Sequence, residues 1–201
     1  MKLFIGLVVI IITSNYLPAN NADKLVIQEN NRDTLNVGYT YWWAQGGPFI
    51  GLCGDEYALV FTGTVTKLFT PLPNNPDDAV RSSQKGVIKI SSIRKSRATE
   101  KDNYNNEQYF SSDCFYDSGL KEGDKVIVFM YEYEGGYSIP GKSILKIKNF
   151  NDPIVVSIEE YIKNGQDIRA IKKDFKMWEK YGFKAELKEM MECMQYKKAT
   201  K

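Results

Sequence analysis

Alternating apolar and polar positions dominate the middle of the chain. This two-residue period, typical of β-strands, runs through residues 37–43, 57–69, 86–96, 125–134 and 143–148. Gly63 interrupts the second run, and we expect a bulge or a bend there. Residues 126–130 are apolar on both alternating faces, which predicts a strand covered on both sides. Five strands suffice to close a small barrel, so the sequence predicts a mainly β domain over residues 23–156.

From residue 157 the apolar period changes to that of α-helices. Ser157 and Glu160 fit a capping box, Asp167 is a second N-cap candidate, and Gly165 and Gly182 are helix stops. The apolar positions that follow are spaced at helical intervals: Ile168, Ile171, Phe175, Trp178, Leu187, Met190, Met191 and Met194. We therefore predict a helical hairpin as a C-terminal extension over residues 157–201.

This apolar stripe has two interpretations. In the first, it packs on the β-domain as ordinary core. In the second, Trp178 and Met190 dock a partner protein, because methionine-rich faces adapt to different surfaces.

The N-terminal residues have the layout of a secretory signal peptide. A short positive start is followed by an apolar run over residues 3–12 and a polar stretch that ends in small residues near residue 22. The run is shorter than the ~20 apolar residues of a spanning helix, and no nearby cysteine could take a lipid. We predict that residues 1–22 are a signal peptide and that the mature protein is secreted or periplasmic rather than integral to a membrane. The alternative is that this segment is retained as an anchor.

Composition and missing residue types exclude several functions. The chain has 27 basic and 25 acidic side chains, a balance that argues against nucleic acid as a partner. It contains no histidine, which excludes Ser-His-Asp and Cys-His catalysis and histidine-ligated zinc. A phosphate-binding loop, a dinucleotide fingerprint and a Cys-x-x-Cys pair are also missing. Its abundance of Asn, Lys, Ile and Tyr suits an AT-rich bacterial genome.

An enzyme built from this chain would have to use carboxylates. Asp55–Glu56 and Asp77–Asp78 are adjacent pairs, and neighbouring side chains on a strand point apart. Paired catalytic carboxylates instead face each other about 5–10 Å apart. We therefore expect no catalytic residue, no metal site and no cofactor.

The chain contains three cysteines, and we expect the mature protein in an oxidising compartment, where disulfides persist. Cys53 and Cys114 lie at the edges of predicted strands, so we predict a disulfide between them. Cys193 lies in the helical extension, where it is either a buried free thiol or half of an intermolecular bridge.

Aromatic residues are concentrated in the first predicted strand. Tyr41 and Trp43 fall on one face and Trp42 on the other. One interpretation is that these rings belong to the barrel wall and are buried. The other is that they form a binding face for a sugar, a peptide or a partner protein.

Two segments resemble a known family. Residues 55–67 are similar to the opening strand, and residues 113–129 to the later Cys and Gly-Asp-Lys segment, of the netrin-module and tissue-inhibitor-of-metalloproteinase superfamily. The resemblance covers about residues 50–148 and implies a five-stranded OB-like barrel with helices packed on it, in an exported protein. The inhibitors of that family chelate zinc through a mature N-terminal cysteine. This chain has no such residue near Asp23, so the resemblance does not extend to that mechanism.

Together these observations predict an exported, non-catalytic binding or protein-interaction module with an unidentified protein or glycan partner. Two alternatives stay open, namely an inhibitor or immunity-like protein that blocks a partner enzyme, and a carboxylate-based enzyme acting on an extracellular polymer.

Overall fold

The fold is built on one curled β-sheet, and the C-terminal helices pack on one face of this sheet. The structure is a computed structural model, and it describes residues 33–43, 45–71 and 83–199. In these ranges the strands are β1 (Thr34–Asn36), β2 (Tyr57–Leu68), β3 (Gly86–Ser96), β4 (Tyr109–Ser112), β5 (Lys125–Tyr133), β6 (Gly136–Ser138) and β7 (Ile144–Ile147). The helices are α1 (Pro153–Lys163), α2 (Phe175–Lys180) and α3 (Lys184–Ala199), with a 3₁₀ segment, Ile168–Asp174, before α2. The predicted signal peptide lies outside the described residues.

The sheet has the strand order β1-β4-β3-β2-β5-β6, with β7 also paired to β5. β1 and β4 are parallel, and the other pairs are antiparallel. The curl brings the chain after β1 to the opposite edge, where the amide of Thr40 donates to the carbonyl of Ile139 at 2.9 Å. The hydroxyls of Thr40 and Ser138 are hydrogen-bonded beside this contact. The mainly β fold with C-terminal helices is therefore confirmed, with seven strands in the described ranges rather than five.

Four of the five predicted strands are present as β2, β3, β5 and β7. The prediction of a strand over residues 37–43 is wrong, because β1 ends at Asn36 and the chain turns at Tyr41 and Trp42. The short strands β1, β4 and β6 were not predicted, since three or four residues give too little alternation to recognise.

Gly63 produces the predicted irregularity in β2. The register with β3 shifts between Thr62 and Gly63. A Cβ atom at this position would lie 2.5 Å from Cγ2 of Ile88 and 2.6 Å from the carbonyl oxygen of Lys89. Glycine is therefore required because the neighbouring strand approaches the backbone too closely for a side chain.

Apolar side chains form two cores, one on each side of β2 and β5. The inner cluster lies within the curl of the sheet and includes Phe61, Phe110 and Val128. The outer cluster lies between the sheet and the helices and includes Tyr57, Phe129 and Trp178. The prediction that residues 126–130 are covered on both faces is confirmed, because successive residues of β5 alternate between the two clusters and all five are fully buried.

The helical segment begins earlier than predicted. Asp152 caps α1 by accepting from the amide of Ile154 at 3.1 Å, so the predicted capping box at Ser157 is wrong. The Asp167 cap is confirmed, since its carboxylate accepts from the amide of Arg169 at 2.9 Å. Gly182, with φ of +84°, separates α2 from α3 as predicted.

Candidate functional site

Two buried tyrosines fix the loop that follows the turn at Tyr41 and Trp42. The Tyr57 hydroxyl donates to the carbonyl of Pro48 at 2.6 Å, and the Tyr131 hydroxyl donates to the carbonyl of Gly47 at 3.0 Å. Burial raises the pKa of both phenols well above its ordinary value. They therefore remain neutral donors across the physiological range, and their two hydrogen bonds hold the loop on β2 and β5.

Above this loop, four aromatic side chains form a surface cluster, which we name the aromatic face: Tyr41, Trp42, Trp43 and Tyr133. Tyr41, Trp42 and Tyr133 are 48%, 56% and 39% exposed. The ring centres are 5.1 Å apart for Tyr41 and Trp42, and 6.1 Å apart for Trp42 and Tyr133. These distances and the edge-on ring planes are typical of favourable aromatic contacts, so the rings support one another.

Trp43 connects the aromatic face to the core. It is half-buried against the outer cluster, with its ring centre 5.5 Å from that of Tyr133 and 6.1 Å from that of Tyr131. Tyr131 is in turn fully buried and hydrogen-bonded. The exposed rings therefore rest, through Trp43, on a buried and hydrogen-bonded tyrosine.

The structure unites three of the predicted binding residues and separates the other two from them. Tyr41, Trp42 and Trp43 lie together, whereas Trp178 and Met190 are fully buried in the outer cluster. The prediction that Trp178 and Met190 dock a partner is wrong, because neither side chain reaches the surface. The competing interpretation, that their stripe packs on the β-domain, is confirmed.

Sequence reasoning missed Tyr133. It ends β5 and lies two residues beyond Tyr131, so the two side chains point to the same side of the sheet. That spacing was the available signal. Its proximity to Trp42 could not be predicted, because it depends on how the loop from Tyr39 to Ile50 folds over the sheet.

The predicted disulfide is also wrong. Cys53 is bonded to Cys193, with Cα atoms 5.3 Å apart, and Cys114 is a free thiol. Helix α3 packs where Gly54 approaches Met190, in the outer core, which brings Cys193 to Cys53. Cys114 packs instead against the inner cluster, so the sheet separates it from Cys53. The Cys53–Cys193 disulfide also shows that both predictions for Cys193, a buried free thiol and an intermolecular bridge, are wrong.

Burial raises the pKa of the Cys114 thiol from 9.0 to about 12. The folded state therefore retains a proton that the unfolded state releases near pH 9, and the associated stability is lost as the pH rises from about 9 to about 12. Between pH 8 and pH 10 the free energy of unfolding of the unchanged protein should therefore fall about 1 kcal/mol further than that of Cys114→Ala, which lacks the thiol. Urea unfolding at the two pH values measures this, and equal losses in both proteins would contradict it.

In the part of the chain that the structure describes, the adjacent carboxylates Asp55 and Glu56 make separate contacts. Glu56 binds the Lys95 ammonium at 2.7 Å, and this hydrogen bond lowers the pKa of Glu56. The side chain of the adjacent Asp55 lies against Gly51, and burial raises its pKa. Asp77 and Asp78 lie outside the described residues. Within the described ranges, no group of three or more Cys, Asp or Glu side chains is placed to hold a metal ion.

Among the helices of the described ranges, none is both long enough and apolar enough to cross a membrane. Compared with known proteins, the chain matches no protein-family model and no curated protein sequence.

Proposed function

We propose that this protein is an exported, non-catalytic module that binds polysaccharide through the aromatic face. The observation that carries the proposal is a set of exposed rings supported by a buried, hydrogen-bonded core. Binding to rings that already pack on one another loses less conformational freedom than binding to isolated exposed side chains. Large aromatic side chains in a soluble protein otherwise favour burial, so their joint exposure supports a binding role.

The chemistry of the aromatic face favours a sugar chain. Aromatic rings carry a negative potential on their faces, which attracts the slightly positive C–H groups on the flat side of a sugar ring. Three basic residues at the end of β3 and directly after it are already paired: Arg94 with Glu159 at 2.6 Å, Lys95 with Glu56 at 2.7 Å and Arg97 with Glu132 at 2.6 Å. Their pairing argues against a polyanion, including nucleic acid, as the ligand on that strand.

Two further parts of the proposal concern location and fold class. The N-terminal apolar segment and the Cys53–Cys193 disulfide support export to an oxidising compartment. The antiparallel series β4-β3-β2-β5 and the Tyr39–Ile139 bridge between the sheet edges support an OB-like barrel. The relationship to the netrin-module superfamily is proposed on the same grounds.

The test is retention of residues 23–201 on insoluble polysaccharide from the cell envelope. We expect Trp42→Ala to weaken retention about tenfold, since stacking on one ring contributes roughly 1–1.5 kcal/mol. Tyr196→Ala is the matched control, because Tyr196 is 72% exposed on α3, outside the aromatic face. Equal retention of the two variants would refute the assignment of the binding face.

Other outcomes would support the alternatives. Capture of a single stoichiometric protein, lost in Trp42→Ala, would indicate a protein-interaction module or an inhibitor of that partner. Release of soluble saccharide from the polysaccharide would contradict the absence of catalysis and favour the carboxylate-based enzyme.

A further inference from the structure

A cavity of about 360 Å³ lies beside the aromatic face and is not part of it. It is formed where the chain after β1, the turn after β4 and the segment leading into β7 meet, and residues following α2 close it. Its polar lining includes Tyr39, Tyr116, Asp117, Lys142, Ser143 and Tyr181. Its volume suits a small organic ring.

Ser143 provides the first indication of a ligand. This residue is 1% exposed and lines the cavity. Its hydroxyl has no hydrogen-bond partner within the part of the chain that the structure describes. Buried polar groups in folded proteins are normally paired, so an unpaired hydroxyl in the wall of the cavity points to a partner that the described part of the chain does not supply.

Two lining residues have an unfavourable backbone conformation. Asp117 and Lys142 have φ values of 53° and 56°, in the left-handed region that residues other than glycine rarely adopt. They belong to different turns, one after β4 and one before β7. Such a conformation persists only where the surrounding structure maintains it, so the two turns that carry these residues hold fixed positions in the cavity wall.

The cavity is continuous with the aromatic face through Tyr39. This side chain lines the cavity, and its ring centre lies 6.4 Å from that of Tyr41. The Tyr39 amide donates to a carboxylate oxygen of Asp113 at 2.8 Å, which fixes the backbone at the junction. A ligand that lies over Tyr41 and Trp42 can therefore extend into the cavity without leaving aromatic surface.

The lining indicates the chemical class of the ligand. It combines ring faces with several hydroxyls, and its one lysine and one aspartate have cancelling charges. This combination suits an uncharged ring that carries many hydroxyl groups. We propose that the cavity is the subsite for the terminal ring of a neutral glycan whose chain continues over the aromatic face. The inference rests on the proposed polysaccharide-binding function.

The experiment measures binding of two neutral hexamers, cellohexaose and fully N-acetylated chitohexaose, by calorimetry, with the hexamer of galacturonic acid as a charged comparison. We expect the unchanged protein to bind a neutral hexamer, and Ser143→Ala to bind it about three- to tenfold more weakly, the effect of losing one hydrogen bond. Thermal stability should not fall, because the substitution removes an unpaired hydroxyl. Ser111→Ala is the matched control, since Ser111 is another buried, unpaired serine in the described ranges but does not line the cavity.

The variants separate failure of this inference from failure of the proposed function. Weaker binding in Trp42→Ala with unchanged binding in Ser143→Ala would overturn the subsite and leave the aromatic face supported. Weaker binding in Ser143→Ala with unchanged binding in Trp42→Ala would support the subsite and refute the face. Preference for the charged hexamer, or binding of no hexamer by the unchanged protein, would overturn the proposal that the cavity binds the terminal ring of a neutral glycan.

Discussion

Replacing Cys53 and Cys193 together by alanine is expected to lower the free energy of unfolding by about 3–5 kcal/mol. The bridge joins residues 140 positions apart, and a cross-link over so long a loop restricts the unfolded chain strongly. It also fastens α3, on which Leu187 and Met190 are buried while most neighbouring positions are exposed. Guanidinium unfolding of the unreduced proteins measures the loss.

The control for this prediction is Cys114→Ala, which removes the free thiol and preserves the bridge. Its unfolding midpoint should fall much less than that of the double variant. Peptide mapping without reduction should recover Cys53 linked to Cys193 and a singly alkylated Cys114. A link between Cys53 and Cys114, or a double variant as stable as the control, would contradict the pairing.

Trp178→Ala is expected to destabilise the protein by about 3–5 kcal/mol, the range for truncating a large buried aromatic side chain. The indole is fully buried, with its ring centre 5.0 Å from that of Phe49, and its Nε1–H donates to the Ser157 hydroxyl at 2.9 Å. Trp178→Phe preserves most of the packing and removes the donor, so a smaller loss of about 1–2 kcal/mol is expected. Urea unfolding of both variants provides the comparison.

A loss below about 1 kcal/mol in Trp178→Ala would mean that the helices are not packed on the sheet in solution. Trp178 would then be available to a partner, as the overturned interpretation of the apolar stripe required. As long as the variant keeps its helices on the sheet, its binding to polysaccharide should be unaffected, because Trp178 is buried in the outer cluster and does not belong to the aromatic face.

Long, periodic segments were predictable from sequence. β2, β3 and β5 contain nine or more residues each, enough for the alternation to be recognised, and the uninterrupted apolar run in β5 indicated its position between two cores. The segment over residues 37–43 alternates equally well but is not a strand. The hydroxyls of Tyr57 and Tyr131 bind the loop that follows it, and contacts between residues so far apart in sequence are not encoded in a local alternation.

The candidate site was predictable only in part, for a related reason. Tyr41, Trp42 and Trp43 are neighbours in sequence, and their composition was sufficient to select them. Tyr133 and Ser143 are distant from them in sequence. Tyr133 contacts the ring of Trp42, and Ser143 lines the adjacent cavity, and no local sequence pattern encodes either placement. The disulfide was mispredicted for the same reason, because its partners are brought together by the packing of α3 on the outer core.

The long sequence separation between Cys53 and Cys193 also affects the order in which disulfide partners become available during the proposed export. A chain that is threaded across a membrane from its N-terminus presents Cys53 first and Cys114 second, and Cys193 follows 140 residues after Cys53. Until Cys193 emerges, the cysteine that Cys53 can meet is Cys114, which is not its partner in the folded protein. Under the proposed export, the Cys53–Cys193 disulfide can therefore close only after α3 has emerged, and the packing of Cys114 against the inner cluster favours this pairing over the incorrect one.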